Sequence, residues 1–214
     1  MLNIKKFEVN DLQENCYIVS DETKEAIIID PGMFYTEERE EVKEYVDSHL
    51  IQLVHLLNTH GHFDHTYSNR FVFDTFGLKV KLHAEDIALY QSLSFQIETF
   101  LRRHIEEELA PIEKGLSDAD EIKFGNHTFT VLHTPGHTLG GICLYCQAEN
   151  ILFSGDSLFY HSIGRTDFPG GSEQNLLCSL REKILRLPNQ TKVYPGHGPQ
   201  TNIGEERSGN PYLR

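Results

Sequence analysis

Four potential metal ligands lie within six consecutive residues of this 214-residue chain. They belong to the segment His60-Gly61-His62-Phe63-Asp64-His65, which follows an apolar, strand-like run. Imidazole and carboxylate groups are the donors by which proteins hold zinc, iron or manganese. Gly61 permits a tight backbone between two of these donors. The residue types and their spacing therefore predict a metal centre.

Three other strand-like runs also end in a turn that carries one donor. These donors are His137, Asp156 and His197. Ligands at the same edge of neighbouring strands can converge on one cleft. The candidate ligand set is therefore His60, His62, Asp64, His65, His137, Asp156 and His197. Seven donors exceed the four of one tetrahedral zinc site and suit two ions that share a carboxylate.

The elements that must position these donors are short strands separated by helices. Eight apolar runs bounded by turn residues are predicted as strands: Asn15–Ser20, Ala26–Asp30, Leu53–Asn58, Lys79–His83, Phe129–His133, Gly141–Cys146, Ile151–Gly155 and Lys192–Pro195. Helices are predicted after the N-cap candidates Thr36 and Ser172, the second ending at Pro188. This pattern predicts a mixed α/β or α+β fold with helices covering sheets.

One further apolar stripe does not fit a strand. It has helical spacing and consists of Leu93, Ile97, Phe100, Leu101, His104 and Ile105. A charged run to Lys114 follows it, so the segment could be a lid over a cleft or an outer helix, and the outer helix is slightly favoured.

Charge and composition restrict the partners. The net charge is −13, which disfavours binding to a phosphate backbone, so no nucleic-acid partner is expected. No apolar run approaches the ~18 residues that span a bilayer, so no membrane partner is expected. No signal peptide is evident after Met1, so we expect a cytoplasmic location. Cys143 and Cys146 lie on one predicted strand with their side chains on opposite faces, which argues against a joint metal or redox site.

At the donor segments the sequence resembles the metallo-β-lactamase superfamily. The matching motifs are residues 59–65, 134–138, 153–156 and 195–198, with early strand motifs at 15–17 and 29–32. The resemblance implies a single domain over residues 1–214 with an α+β fold: an αββα sandwich of two mixed sheets face to face, with helices outside. It also implies that His60, His62 and His137 hold one metal, that Asp64, His65 and His197 hold the other, and that Asp156 bridges them.

Within this superfamily the chain looks most like short hydrolases of the glyoxalase II type. The segment Ser162–Gly171 carries that similarity. True β-lactamases lack the bridging aspartate found here at Asp156, so β-lactam hydrolysis is not expected. Only 17 residues follow His197, so a C-terminal helical domain that binds glutathione is not expected. The thiol carrier, the acyl group and the oligomeric state stay open.

The resemblance implies hydrolysis of a small hydroxyacyl thioester by a hydroxide that bridges two Zn²⁺ ions, with Fe or Mn as other candidates. Asp64 and Asp156 are the catalytic candidates among the ligands. Arg165 could bind a substrate carboxylate or form a salt bridge with Asp167. His161 is a second candidate for substrate contact because it stands between Asp156 and Gly164.

An alternative of another class shares the same donors. Persulfide dioxygenases have this fold and a segment similar to Gly164–Asp167, and they use one iron. The residues matching their ligands are His60, His137 and Asp156, a set of two histidines and a carboxylate that suits non-haem iron. A non-enzymatic binding module is a weaker alternative, because simple scaffolding needs no convergent set of seven donors.

Overall fold

The computed structural model describes residues 1–104 and 108–214. Its first six strands form one sheet in the order β1-β2-β3-β4-β5-β6, and they are β1 Asn3–Val9, β2 Glu14–Ser20, β3 Glu25–Ile29, β4 Gln52–Leu57, β5 Val80–His83 and β6 Ile112–Leu116. Strands β1 to β3 are antiparallel, and β3 to β6 are parallel. This sheet is therefore mixed.

The remaining strands are β7 Glu121–Phe124, β8 His127–His133, β9 Ile142–Cys146, β10 Ile151–Gly155, β11 Leu158–Phe159, β12 Ser162–Ile163, β13 Lys192–Pro195 and β14 Thr201–Asn202. Six of them form a second sheet in the order β14-β13-β10-β9-β8-β7. Strands β11 and β12 form a separate two-stranded hairpin. The second sheet is also mixed, because β10 and β13 are parallel.

Alternation along the strands explains why the two sheets face each other. In β3, Ile27 and Ile29 pack between the sheets with Phe129 and Phe153, whereas Ile28 lies on the other face, against helical residues. Successive strand side chains point to opposite faces, so a strand buried on both faces is apolar throughout. The αββα sandwich predicted from the sequence is confirmed.

The helices cover the outer faces of both sheets. Their bounds are α1 Thr36–Ser48, α2 Phe63–Thr66, α3 Asn69–Phe76, α4 Ile87–Gln91, α5 Leu93–Leu101, α6 Glu173–Glu182 and α7 Ile203–Gly209. Val42 and Val46 of α1 are buried on the first sheet. Leu176 and Leu180 of α6 are buried on the second.

Two predicted helix ends need correction. The N-cap of the first helix is Tyr35, and Thr36 is its first helical residue. The carboxylate of Glu38 accepts hydrogen bonds from the backbone N–H groups of Phe34 and Tyr35, which sets the start. Ser172 does cap α6, but that helix ends at Glu182, before a 3-10 turn at Ile184–Arg186.

The predicted stripe at residues 93–105 forms α5 only as far as Leu101. Leu93 and Ile97 are buried against Phe63, so α5 packs on α2. Phe100 and Leu101, at the end of α5, line a cleft. His104 follows the helix, and Ile105 lies outside the described residues. None of the helices in the described part of the chain has the length and hydropathy that crossing a membrane requires.

The strand β9 carries two of the four cysteines. Cys143 packs on the outer face of the second sheet, and Cys146 packs between the sheets. Both are buried free thiols, as expected from their alternation on one strand. They cannot act together on one ligand.

Candidate metal centre

One edge of the sandwich collects the ends of four strands. The turn after β4 carries His60, and the turns after β8 and β13 carry His137 and His197. Asp156 follows β10 directly. The structure brings all seven donors predicted from the sequence to this edge. They form two groups of three, and a third set, His60, His65 and Asp156, links the groups; within each set the donor atoms lie within 4.8 Å of one another.

The first group contains His60, His62 and His137. The Nδ1 atom of His62 lies 3.0 Å from the Nε2 atom of His137. The ring of His60 lies 4.7 Å from that of His62 and 4.8 Å from that of His137, nearly perpendicular to both. Three imidazoles that converge in this way can occupy three positions of a tetrahedral site.

The second group contains Asp64, His65 and His197. The Nε2 atoms of the two histidines are 3.2 Å apart. An Oδ2 atom of Asp64 lies 3.4 Å from Nε2 of His197 and 3.7 Å from Nε2 of His65. This group is a second convergent set of three donors.

Asp156 lies between the two groups. Its Oδ2 atom is 3.7 Å from Nε2 of His137 and 3.6 Å from Nε2 of His197, one histidine from each group. Its Oδ1 atom is 3.5 Å from Nε2 of His65. The position is the one that a carboxylate shared by two ions requires.

Hydrogen bonds on the far side of two histidine rings show which ring nitrogen carries the proton. Nδ1 of His137 faces the carbonyl oxygen of Arg165 at 2.7 Å, and Nδ1 of His197 faces that of Leu12 at 3.1 Å. A carbonyl only accepts, so each Nδ1 carries the proton and each Nε2 keeps its lone pair. The Nε2 atoms of His137 and His197 are thus directed into the cluster.

Asp30 fixes two further rings. Its Oδ2 atom lies 3.1 Å from Nδ1 of His65 and accepts a hydrogen bond from the Thr59 hydroxyl at 2.6 Å. Because the Thr59 hydroxyl proton is used there, its oxygen can accept from Nδ1 of His60, 3.1 Å away. Nε2 of both His60 and His65 is then left for a metal ion.

The environment of the donors fits a cation. Nε2 of His60 and Oδ1 of Asp156 are buried and have no hydrogen-bond partner, a costly arrangement that a metal ion would relieve. Burial lowers the pKa of His60, and burial with the charge of His137 lowers the pKa of His62 to about 4. Burial opposes protonation of His65 too, yet the carboxylates of Asp156 and Asp64 raise its pKa well above the usual value. These carboxylates therefore stabilise positive charge at this place.

A buried carboxylate outside the ligand set joins the two loops that carry the first group. Oδ2 of Asp86 accepts from the backbone N–H of Gly61 at 2.9 Å and from the hydroxyl of Thr138 at 2.7 Å. Its Oδ1 accepts from the backbone N–H of Gly140 at 2.6 Å. Asp86 thus holds the loop of His60 and His62 against the loop of His137.

We expect Asp86→Asn to weaken metal binding about 10- to 100-fold, the range found when groups that orient ligands are removed. Asparagine must direct its NH₂ group at one of these three donors, so the free energy of unfolding should also fall by about 2 to 3 kcal/mol. Competition with a chromogenic chelator and urea unfolding measure the two effects. The matched control is Glu85→Gln, an adjacent and exposed carboxylate; an equal loss in both variants would contradict the anchoring role.

The donors open into a cleft of about 400 Å³. Among the described residues, the cleft is lined by five candidate ligands, by apolar side chains and by one arginine. They are Leu12, His62, Phe63, Asp64, Phe100, Leu101, His137, Asp156, Arg165, Phe168 and His197. A volume of this size suits a small organic substrate.

The two predicted substrate-binding residues differ in their placement. Arg165 lines the cleft, but its guanidinium makes two hydrogen bonds of 2.8 Å to Asp167, the salt bridge that was the alternative interpretation. His161 is not among the lining residues. Its Nε2 lies 2.8 Å from Glu205, and its backbone N–H donates to Glu206 of α7. The expectation that His161 contacts substrate has no support in this arrangement.

Sequence reasoning missed the residues that support the ligands and shape the cleft. Asp86 precedes an unrecognised helix, and its three hydrogen bonds join segments that are distant in sequence. The signal that could have indicated Asp30 is its place directly after the apolar run of β3, at the start of Asp30-Pro31-Gly32. No local pattern connects Phe63, Phe100 and Phe168, so only the fold brings them together.

Comparison with known proteins agrees with this geometry. The model of the metallo-beta-lactamase superfamily matches residues 9–197. Hydroxyacylglutathione hydrolase GloC of Haemophilus influenzae is 35% identical, covering 99% of this chain and 98% of that protein. The crystal structure of the BLEG-1 B3 metallo-beta-lactamase has a TM-score of 0.86 at 39% identity, covering 100% of this chain and 99% of the other. The crystal structure of TTHA1623 in a di-iron-bound form has a TM-score of 0.86 at 33% identity, covering 98% of this chain and 100% of the other. The chain belongs to the metallo-β-lactamase superfamily.

Proposed function

We propose that this chain is a metal-dependent hydrolase that cleaves small thioesters, in the manner of glyoxalase II. The full-length similarity to a protein named hydroxyacylglutathione hydrolase supports the class of reaction. The net charge of −13 favours a small-molecule substrate over a polynucleotide.

The donors divide into two metal sites in this proposal. His60, His62 and His137 would hold one ion, Asp64, His65 and His197 the other, and Asp156 both. Zinc suits these nitrogen and oxygen donors, and iron or manganese also fits. Two bound ions would supply a hydroxide nucleophile near neutral pH and a Lewis acid for the carbonyl oxygen.

One observation carries the choice of a thioester. Apart from Arg165, every titratable side chain among the described residues of the cleft is a candidate ligand. None of them is then free to protonate a leaving group. A thiolate, with a pKa near ~8.5, leaves without such a proton, whereas an amine does not. The cleft is therefore better suited to thioesters than to amides.

The residues of the chain orient the reaction. Burial alone would raise the pKa of Asp64, but the neighbouring His65 and the hydrogen bond with His197 keep that pKa below its usual range. Asp64 is then an ionised carboxylate that can accept a hydrogen bond from the attacking water. The carbonyls of Arg165 and Leu12 hold the rings of His137 and His197, which limits reorganisation during the reaction.

β-Lactam hydrolysis is a second candidate, because a structure named as a B3 metallo-beta-lactamase is 39% identical to this chain. It is also an acyl transfer to water, but its leaving group is a nitrogen. Persulfide oxidation with a single iron is the alternative of another class. The oxidation needs iron and dioxygen, whereas the two hydrolyses differ in the leaving group, so parallel assays separate the three reactions.

The test uses the full chain loaded with zinc or with iron. We expect hydrolysis of lactoyl-glutathione and simpler thioesters by the zinc form, with kcat/KM at least about 100-fold above that for a chromogenic cephalosporin. His60→Ala should abolish turnover, and the matched control His49→Ala, an exposed histidine at the end of α1, should not. Oxygen consumption with glutathione persulfide by the iron form, without thioester turnover, would replace this proposal by the dioxygenase.

A further inference from the structure

One side of the cleft is a continuous surface of three phenylalanine rings. This aromatic wall consists of Phe63, Phe100 and Phe168. The rings of Phe63 and Phe100 are stacked with centroids 5.5 Å apart, and Phe168 meets Phe100 edge-on at 5.3 Å. The rings come from α2, from α5 and from the loop before α6. The fold therefore assembles the wall from three separate segments.

The wall begins at the candidate metal centre. The ring of Phe168 lies 5.8 Å from that of His62, nearly perpendicular to it. Phe63 follows His62 in sequence and lines the same cleft. The carbonyl of a substrate would lie at the metal centre. A substituent that packs on these rings must therefore be bonded close to that carbonyl.

The wall is only partly used by the protein itself. Phe63 is 6% exposed and packs on Leu93 and Ile97. Phe100 is 47% exposed although one of its faces is stacked on Phe63. A large aromatic surface left open inside a cleft gains stability when an apolar ligand covers it.

The charge next to the wall is already neutralised. The Arg165 side chain lies over Phe168, with Cζ 3.9 Å from the ring centroid, and its guanidinium is paired with Asp167. No other cation is among the described residues that line the cleft. A carboxylate on the part of the substrate that meets the wall would have to share Arg165 with Asp167, which already binds its Nε and Nη2 atoms.

We propose that the aromatic wall binds the acyl group of the substrate and that this group is apolar, with an aryl or branched alkyl substituent and no charge. This inference rests on the proposed thioester hydrolysis. The acyl side is favoured over the carrier because thiol carriers such as glutathione bear amide groups near the sulfur. Amides lose hydration against ring faces without gaining hydrogen-bond partners.

The test varies the acyl group on one carrier. With acetyl, lactoyl, mandeloyl and phenylacetyl thioesters of glutathione, kcat/KM should rise about 100-fold from acetyl to phenylacetyl, mostly through KM. A pocket discriminates by roughly 10- to 200-fold for each methylene that it covers, so this rise is attainable. Equal kcat/KM for all four thioesters would overturn the inference and leave thioester hydrolysis standing.

Two variants locate the effect. Phe100→Ala should lower kcat/KM for the phenylacetyl thioester about 10-fold or more, with a distinctly smaller loss for acetyl, and Phe100→Leu should restore part of it. The matched control is Phe95→Ala, a phenylalanine of the same helix that is 70% exposed and does not line the cleft. Equal losses for acetyl and phenylacetyl in Phe100→Ala would assign the wall to the carrier and contradict the proposal.

A binding measurement separates this inference from the proposed reaction. A non-hydrolysable thioether, S-(2-phenylethyl)glutathione, should bind the metal-loaded protein about 10-fold more tightly than S-ethylglutathione by calorimetry. Phe100→Ala should remove that difference. If no thioester is hydrolysed but S-(2-phenylethyl)glutathione still binds more tightly, the proposed reaction fails, and of this inference only the preference of the wall for an apolar group stands. If both thioethers bind equally, the proposal that the aromatic wall binds an apolar group is wrong.

Discussion

Asp156→Ala is expected to lose both metal ions and to lower kcat/KM by about a thousandfold or more. A metal centre contributes several kcal/mol to transition-state stabilisation, and each 1.36 kcal/mol corresponds to a factor of ten. Asp156 is the one carboxylate within 3.7 Å of histidine nitrogens from both groups of the described donors. Its removal therefore affects both sites at once.

His60→Ala provides the comparison. His60 shares the first group with His62 and His137, whereas Asp64, His65 and His197 form a complete second group without it. We expect His60→Ala to retain about one ion per chain and Asp156→Ala to retain fewer. Asp156→Asn keeps the side-chain shape, so it serves if the alanine variant fails to fold. Equal metal content in His60→Ala and the folded Asp156 variant would contradict the bridging role.

The second large effect is expected at a glycine that is not a ligand. A Cβ added to Gly196 would lie 2.2 Å from Oδ1 of Asp156 and 2.8 Å from Cε1 of His65. Both side chains would have to move, and both are candidate ligands. We expect Gly196→Ala to weaken metal binding and to lower kcat/KM at least about 100-fold, since small misplacements of reacting groups have effects of this size.

Gly198→Ala is the matched control two residues away. Its φ is +75°, so alanine is strained there, but no atom lies within 4 Å of the added Cβ. We expect a loss of about 1 kcal/mol in unfolding free energy with metal content unchanged. Metal stoichiometry and thermal unfolding of the two variants decide the matter. A Gly196→Ala protein with two ions and normal turnover would show that the close approach has no role in holding Asp156.

The sequence could predict the candidate ligands because they lie in the segments that follow apolar, strand-like runs. The run at β10 is buried throughout, and Asp156 comes directly after it. A polar donor after such a run must emerge at the edge of the sheet. The same reasoning applies to His60, after β4, and to His197, after β13. Local pattern and global position agree at these turns, so the donor set needed no knowledge of distant contacts.

Sequence reasoning missed the six strands β1, β6, β7, β11, β12 and β14, and two of them show why charged edge strands are hard to recognise. β1 carries Lys5 and Lys6 and is half exposed, because it is an edge strand with one neighbour. β6 is the edge strand at the other side, with Glu113 and Lys114 exposed. Charged residues protect sheet edges from pairing with other chains, and they also conceal the strand in the sequence.

The cleft could not be predicted from local patterns at all. Phe63, Phe100 and Phe168 are far apart in sequence, and no motif contains more than one of them. Their contact depends on α5 packing on α2 through Leu93 and Ile97. The same limit applies to Arg165. From the sequence it could equally bind a substrate carboxylate or pair with Asp167, and only the structure shows the salt bridge with Asp167.

The most direct test of the metal centre is the number of ions that one chain binds. Purified protein is dialysed against excess metal, freed of unbound ions and analysed by plasma mass spectrometry against protein concentration. The arrangement of donors predicts two divalent ions per chain for the natural sequence, about one for His60→Ala and fewer for Asp156→Ala. One tightly bound iron per chain in the natural sequence, unchanged by Asp64→Ala or His197→Ala, would contradict the dinuclear centre.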